Sequence, residues 1–210
     1  HPLILAAGSM LDQPADVVIE AAAAAGFDGV GLRLSGEHAL RAPGRLGVAV
    51  HDVEVYRIDG SEIDPEPLLD AAAAVAAGAL LVVSDLPDRA ATIESVAALR
   101  ERCDAHGLRL GLEYMAWTDP SGPLAAIDVA RTTGCEIVVD LLHHLRVGAG
   151  VDELDAIVAS GHLGWVQLCD APGNAPVGRE ALIHEARHGR LVPGTGALDL
   201  APLLACLPTG

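Results

Sequence analysis

Three polar side chains each stand near the end of an apolar run that has the length of a buried strand: Glu113, Asp140 and Gln167. A carboxylate in such surroundings is costly to bury unless a cation or a hydrogen-bonding partner compensates it. Polar residues at the carboxyl ends of neighbouring parallel strands meet at one mouth. Several converging oxygens of this kind suit a hard cation, so the sequence predicts a site for Mg²⁺ or Mn²⁺.

Each of these residues also has a purely structural interpretation. Glu113 is compatible with a salt-bridged strand end, Asp140 with the cap of the turn that follows it, and Gln167 with a hydrogen-bonded core amide. For each residue taken alone, both interpretations stay open.

Five further residues are candidates for catalysis or substrate binding at the same mouth. His143 could polarise a carbonyl or position a hydroxyl, and Arg146 could bind a carboxylate or phosphate, although a solvent-facing position suits Arg146 equally well. Glu54 lines the predicted pocket or forms an ion pair, and Trp117 forms a wall or packs beneath a loop. Arg190 is predicted either to reach over the mouth toward an anionic substrate or to form a surface salt bridge.

The elements that must position these residues alternate between short β-type runs and helical stretches rich in Ala and Leu. This alternation is typical of a parallel sheet wrapped by helices. Gly26, Gly78, Gly107, Gly134 and Gly161 stand at the helix-to-strand junctions, where a positive φ closes a helix. Seven strands are predicted, over Leu3 to Ala7, Gly29 to Leu34, Gly47 to Ile58, Ala79 to Ser84, Leu108 to Met115, Glu136 to Leu141 and Gly164 to Cys169.

A (β/α)₈ TIM barrel of one domain, residues 1–210, is the favoured architecture. A doubly wound sheet shares the alternation, but no GxGxxG follows the first strand. Two irregularities are expected. Only Ser35 to Leu46 join the second and third strands, so that crossover is shortened, and the sequence stops at Gly210, where an eighth strand would begin. A homodimer is one way to cover the sheet edges that a missing strand exposes.

Composition narrows the class of partner. A formal net charge of −16 disfavours nucleic acid, and the apolar runs are shorter than the roughly 20 residues that span a bilayer. The four cysteines form no CxxC pair, and the first residues lack a signal-peptide pattern, so a cytoplasmic protein that does not bind membranes is expected.

The segments around Glu113, around Asp140 with His143, and from Gln167 to Asp170 together resemble the xylose isomerase-like TIM barrels, in particular the sugar phosphate isomerase/epimerase family. The loop after Gln167 is similar to that of hydroxypyruvate isomerases and dehydroshikimate dehydratases. The resemblance implies that Glu113, Asp140 and Gln167 are metal ligands and that His143 contacts substrate. It also implies a fourth ligand, a Glu on a strand beyond Gly210.

The function implied by this resemblance is a divalent-metal-dependent isomerase or epimerase of carbohydrate metabolism. It would act on a small polyol, keto-sugar or hydroxy-carbonyl compound by proton transfer through an enediolate, with Glu113 and His143 as catalytic residues. Two alternatives stay open: a metal-dependent dehydratase of the dehydroshikimate or inosose type, and a non-catalytic barrel. The family's abasic-site endonuclease branch is disfavoured, because this acidic chain has neither a His-rich three-zinc cluster nor a cationic groove.

Overall fold

The computed structural model describes residues 1–34, 48–61 and 63–208. The predicted shortened crossover, from Ser35 to Leu46, lies outside the described residues.

The strands form one parallel sheet in chain order, as the barrel interpretation predicted. Each strand pairs with the next one along the chain, which is the connectivity of a (β/α) barrel rather than of a doubly wound sheet, where the order reverses. After the seventh strand, the described residues contain only helices and loops. The strands are β1 Ile4–Leu5, β2 Gly29–Arg33, β3 Ala49–Ile58, β4 Ala79–Ser84, β5 Arg109–Glu113, β6 Glu136–Asp140 and β7 Leu163–Gln167.

Helices connect and follow these strands, and two of them, Leu141–Arg146 and Arg179–His188, were not predicted from the sequence. The first strand is also shorter than predicted, because Ala7–Met10 form a turn of 3-10 helix. No helix in the described ranges is both long enough and apolar enough to cross a membrane. The helices are α1 Ala15–Ala25, α2 Glu66–Ala74, α3 Arg89–Ala105, α4 Pro123–Thr133, α5 Leu141–Arg146, α6 Val151–Ser160, α7 Arg179–His188 and α8 Leu200–Ala205.

The core has two layers, and β4 shows how one strand serves both. All six residues of β4 are buried. Leu80 and Val82 belong to the large cluster between the sheet and the helices, whereas Leu81 and Val83 belong to a small cluster with Met115 inside the curved sheet. Because side chains alternate between the two faces of a strand, a strand buried on both faces has an unbroken apolar sequence.

The helix-closing glycines were predicted correctly at four of the five junctions, and Gly78 is the exception. Gly26, Gly107, Gly134 and Gly161 have positive φ, but before β4 the positive φ belongs to Ala76, at 53°. Gly78 instead allows a close approach, because a Cβ at this position would lie 3.0 Å from the carbonyl oxygen of His51. The turn after α2 therefore uses glycine for space rather than for backbone freedom.

Gly111 in β5 provides a test of the inner packing layer. A Cβ at this position would lie 2.2 Å from the ring of Trp165 and 2.7 Å from a methyl group of Val138. We expect Gly111→Ala to lower the free energy of unfolding by roughly 1–3 kcal/mol, because overpacking displaces both neighbours. Urea denaturation would measure the change.

Gly122→Ala is the matched control, since nothing lies within 4 Å of its added Cβ and its backbone is extended. An equal loss of stability in both variants would contradict the packing explanation.

Candidate active site

The carboxyl ends of β5, β6 and β7 bring the three predicted ligand residues to one edge of the sheet. Glu113, Asp140 and Gln167 are the last residues of these strands. Asp140 is directly paired in register with Gln167, and Glu113 with Val138 on β6. One ligand atom from each of Glu113, Asp140 and His143 lies within 4.8 Å of the others.

His143 reaches this edge because α5 begins directly after β6. The Oδ1 atom of Asp140 accepts hydrogen bonds from the backbone amides of Leu142 at 2.8 Å and His143 at 3.2 Å, which caps the helix. The imidazole then lies with Nε2 3.9 Å from Oε1 of Glu113. Trp117 packs edge-on against the His143 ring, with centroids 5.1 Å apart, and holds its orientation. Asp140 is thus both a helix cap, as its structural interpretation predicted, and a member of the cluster.

Arg190 places a guanidinium group against the same cluster. Its Nη1 atom lies 2.6 Å from Oδ2 of Asp140, and Nη2 lies 3.4 Å from Nε2 of His143. Two further contacts hold the side chain, a hydrogen bond from Nε to the carbonyl of Ala186 at 2.7 Å and one from Nη1 to Sγ of Cys169 at 3.1 Å. Arg190 therefore contacts the innermost part of the site rather than its rim.

Glu54 and Gln167 form a second contact across the mouth. Gln167 donates from Nε2 to Oε1 of Glu54 at 3.4 Å, and Arg33 lies 3.4 Å from the other carboxylate oxygen. Burial raises the pKa of Glu54 to about 7, with a further contribution from the charge of Asp52 and an opposing one from Arg33. Glu54 thus lines the cavity and also forms an ion pair with Arg33.

The pKa values of the three clustered side chains are not all shifted in the same direction. Burial raises the pKa of Glu113 well above its ordinary value, and the charges of Asp140 and Glu54 raise it further. Burial also favours protonation of Asp140, but His143 and Arg190 outweigh it and lower the pKa of this carboxyl. Burial lowers the pKa of His143, so its imidazole is neutral at pH 7 and has a nitrogen lone pair for a cation.

The donor set fits a divalent cation. Oδ2 of Asp140 is buried and, despite its short contact with Arg190, accepts no hydrogen bond of normal geometry from the described residues. Two carboxylates and one neutral imidazole within ligand distance of each other are donors that Mn²⁺ and Zn²⁺ accept, and a cation would offset the cost of burying both acids.

A second acidic cluster, made of Glu66, Asp70 and His106, fits a metal less well. Its members are partly or fully exposed, and Glu66 already accepts a hydrogen bond from Arg102 at 2.6 Å. Exposed acids of this kind need no cation to compensate them.

The site opens into a cavity of about 740 Å³ at the barrel mouth. The predicted residues Glu54, Glu113, Trp117, His143 and Gln167 line it, together with Arg190. Sequence reasoning did not place Arg33 and Arg57 in the cavity wall, although both are at or near the carboxyl end of a strand, the same signal that identified Glu113.

Arg146 is not among the residues that line the cavity, contrary to its predicted contact with substrate. Its guanidinium instead binds both oxygens of Glu185, at 2.8 and 2.7 Å, and the carbonyl of Pro172 at 2.7 Å. Only 5% of the Arg146 side chain and 9% of that of Glu185 are exposed. This buried ion pair fastens α7 to α5, so the structure gives Arg146 a different contact from the one that its sequence position suggested.

Asp170 organises the loop that follows α7. Its carboxylate accepts hydrogen bonds from the amides of Ala171, Gly194, Gly196 and Leu198, at 2.8 to 3.0 Å. The backbone of Asp170 also bridges Leu191 in antiparallel fashion. These contacts hold the segment after Arg190 against the end of β7.

A family model described as the xylose isomerase-like TIM barrel matches residues 67–207. The chain belongs to this family. The resemblance seen in the sequence is thereby confirmed, and the matched range contains Glu113, Asp140, His143, Gln167 and Arg190. No curated protein matches the chain.

Solved structures share the xylose isomerase-like fold at low sequence identity. A xylose isomerase-like TIM barrel/4-hydroxyphenylpyruvate dioxygenase fusion protein is 22% identical with a TM-score of 0.79, covering 97% of this chain and 36% of that protein. The IOLI protein with a bound zinc atom is 12% identical with a TM-score of 0.81, covering 98% and 84%. A D-allulose 3-epimerase from Methylomonas sp. is 17% identical with a TM-score of 0.70, covering 98% and 79%.

The buried pair of Arg146 and Glu185 supports a first prediction for this site. We expect Arg146→Met to lower the free energy of unfolding by roughly 3–5 kcal/mol, because it leaves the carboxylate of Glu185 buried without its partner. Chemical denaturation would measure the loss, and Glu185→Gln combined with Arg146→Met should recover part of it. A fully stable Arg146→Met variant would show that the pair does not fasten α7.

Asp170 supports a prediction about acid stability. The backbone amides, that of Leu198 first, lower the pKa of this carboxyl against the opposing effect of burial. A lowered pKa contributes stability above the unfolded value of about 3.9, and this contribution is lost as the pH falls through the folded value. We expect Asp170→Asn to have a lower melting temperature than the wild type at pH 7. The difference between the two melting temperatures should become smaller at acidic pH, where the wild type loses the contribution of its carboxylate. An unchanged gap between pH 7 and pH 3 would contradict this assignment.

Proposed function

We propose that this chain is a divalent-metal-dependent isomerase or epimerase that moves a proton at a carbon next to the carbonyl of a small keto-sugar or related hydroxy-carbonyl compound. The observation that carries the proposal is the convergence of Glu113, Asp140 and His143, each with a ligand atom within 4.8 Å of the others, beside the cavity that Glu113 and His143 line. Membership of the xylose isomerase-like family supports it, as does the presence of a sugar epimerase among the structural neighbours.

Glu113, Asp140 and His143 would hold the cation, with Gln167 as a further ligand from the adjacent strand. The IOLI structure contains zinc, and the donor set here suits Mn²⁺ or Mg²⁺ as well as zinc. A bound divalent cation polarises a carbonyl and makes the neighbouring carbon more acidic.

The chain's own residues supply the remaining chemistry. The carboxylate of Glu113 lies at the cavity wall, where it can accept a proton from a bound substrate and return it. His143 is neutral at pH 7 and held by Trp117, so its position relative to the substrate oxygens is fixed. Trp117, Val83 and Met115 form an apolar wall that limits the access of water to the reacting carbon.

Two measurements on one set of variants test the proposal. Isothermal titration of Mn²⁺ into metal-stripped protein should show one saturable site, lost or weakened at least tenfold in Asp140→Asn and Glu113→Gln. Proton NMR in D₂O should show exchange of the hydrogen next to the carbonyl of a panel of keto-sugars, reduced roughly 100-fold or more in Glu113→Gln.

Glu153→Gln is the control, because this half-buried acid on α6 accepts a hydrogen bond from the amide of Gly150 and does not line the cavity. Saturable metal binding without any exchange would favour a non-catalytic barrel, whereas exchange followed by loss of water would favour the dehydratase alternative. The absence of metal binding in the wild type would overturn the metal assignment.

A further inference from the structure

The wall of the cavity is richer in arginine than the rest of the chain. The sequence contains 29 acidic residues and 13 basic ones, all of them arginine. Among the described residues, the cavity wall contains two of the acids, Glu54 and Glu113, and four of the arginines: Arg33, Arg57, Arg187 and Arg190. Arginines are thus concentrated at the cavity of a chain that is otherwise strongly acidic and repels anions.

Three of these arginines already have carboxylate partners. Arg33 pairs with Glu54 at 3.4 Å, Arg57 with Asp85 at 2.6 Å and Arg190 with Asp140 at 2.6 Å. Arg187 has no carboxylate within 4 Å among the described residues, and its side chain is exposed at the cavity. Its positive charge is therefore available to a ligand.

The last turn of α7 holds Arg187 in place. Glu185, two residues earlier, is buried against Arg146, and Ala186 accepts a hydrogen bond from Arg190 at 2.7 Å. The backbone on one side of Arg187 is thus fixed by a buried ion pair and on the other by the side chain that reaches Asp140. A guanidinium on a fixed backbone loses less entropy when it binds a ligand.

The remaining wall offers few uncharged hydrogen-bonding groups. Ser9 and Gln167 are its only hydroxyl and amide side chains among the described residues, and Gln167 already contacts Glu54. A neutral polyol with many hydroxyl groups needs more such partners, whereas a short substrate with one charged group needs an arginine. D-allulose, the sugar after which one structural neighbour is named, is a neutral polyol of this kind.

We propose that the substrate carries an anionic group, a carboxylate or a phosphate, next to its hydroxy-carbonyl unit, and that Arg187 is the residue that binds this group. Only the hydroxy-carbonyl unit of this substrate rests on the proposed function. The anionic part depends on the arginines of the wall.

Three small α-hydroxy ketones separate the possibilities: neutral dihydroxyacetone, hydroxypyruvate with a carboxylate, and dihydroxyacetone phosphate. Their dissociation constants should be measured by isothermal titration with Mn²⁺-loaded wild type, Arg187→Gln and Arg179→Gln. Arg179 begins the same helix and does not line the cavity, so its substitution makes the same change of charge outside the site.

We expect at least one anionic probe to bind roughly tenfold or more tightly than dihydroxyacetone, and the tighter of the two identifies carboxylate or phosphate as the group. Arg187→Gln should remove most of this advantage without changing the affinity for dihydroxyacetone, whereas Arg179→Gln should leave all three values unchanged. Raising the ionic strength should weaken the anionic probes selectively.

Equal affinity for all three probes, or equal effects of the two substitutions, would overturn the inference. So would a wild type that binds none of the probes. The same titrations on metal-stripped protein keep the two proposals apart, because the arginines should still prefer the anionic probes there. If Mn²⁺ does not bind but Arg187→Gln still weakens the anionic probes, the metal assignment fails and the anion site stands.

Discussion

The carboxylate of Asp140 is the group on which the rest of the site depends. One oxygen caps α5 and thereby turns His143 back toward the strand ends, while the other lies against Arg190 and accepts no hydrogen bond of normal geometry from the described residues. A fully buried carboxylate of this kind is costly unless cations approach it. The strand end, the short helix after it and the loop after α7 are therefore arranged around one negative charge.

This arrangement separates the electrostatic behaviour of the two acids in the cluster. Asp140 has the guanidinium of Arg190 2.6 Å away, which favours its ionised form, whereas the pKa of Glu113 is raised by burial and by the charge of Asp140 itself. Two nearby carboxyl groups with pKa values shifted in opposite directions are suited to different tasks, one to holding a cation and the other to moving a proton. His143 stays neutral because it is buried, which suits it to either task.

Helix α7 links the floor of the site to its rim. The buried pair of Arg146 and Glu185 anchors it beneath, and Arg190 extends from its carboxyl end toward Asp140. The four hydrogen bonds to Asp170 hold the loop beyond Arg190 in place. Because the helix is fastened at several points, the charges that it carries have defined positions relative to the metal ligands, as a specific binding site requires.

The sequence by itself determined the barrel topology and which polar residues lie at the carboxyl ends of the strands. Apolar runs such as that of β4, separated by helices that mostly close on glycine, leave few alternatives to a parallel sheet in chain order, and the residue that ends each strand must lie at its carboxyl edge. Glu113, Asp140 and Gln167 could be predicted for this reason. Only the tertiary structure decided which partners the arginines take. A long side chain can reach several acids. In the structure Arg146 pairs with Glu185, 39 residues away, and Arg190 pairs with Asp140, 50 residues earlier in the chain. Neither choice has a local signal, because both depend on where α7 packs, and that position is set by contacts between distant parts of the chain.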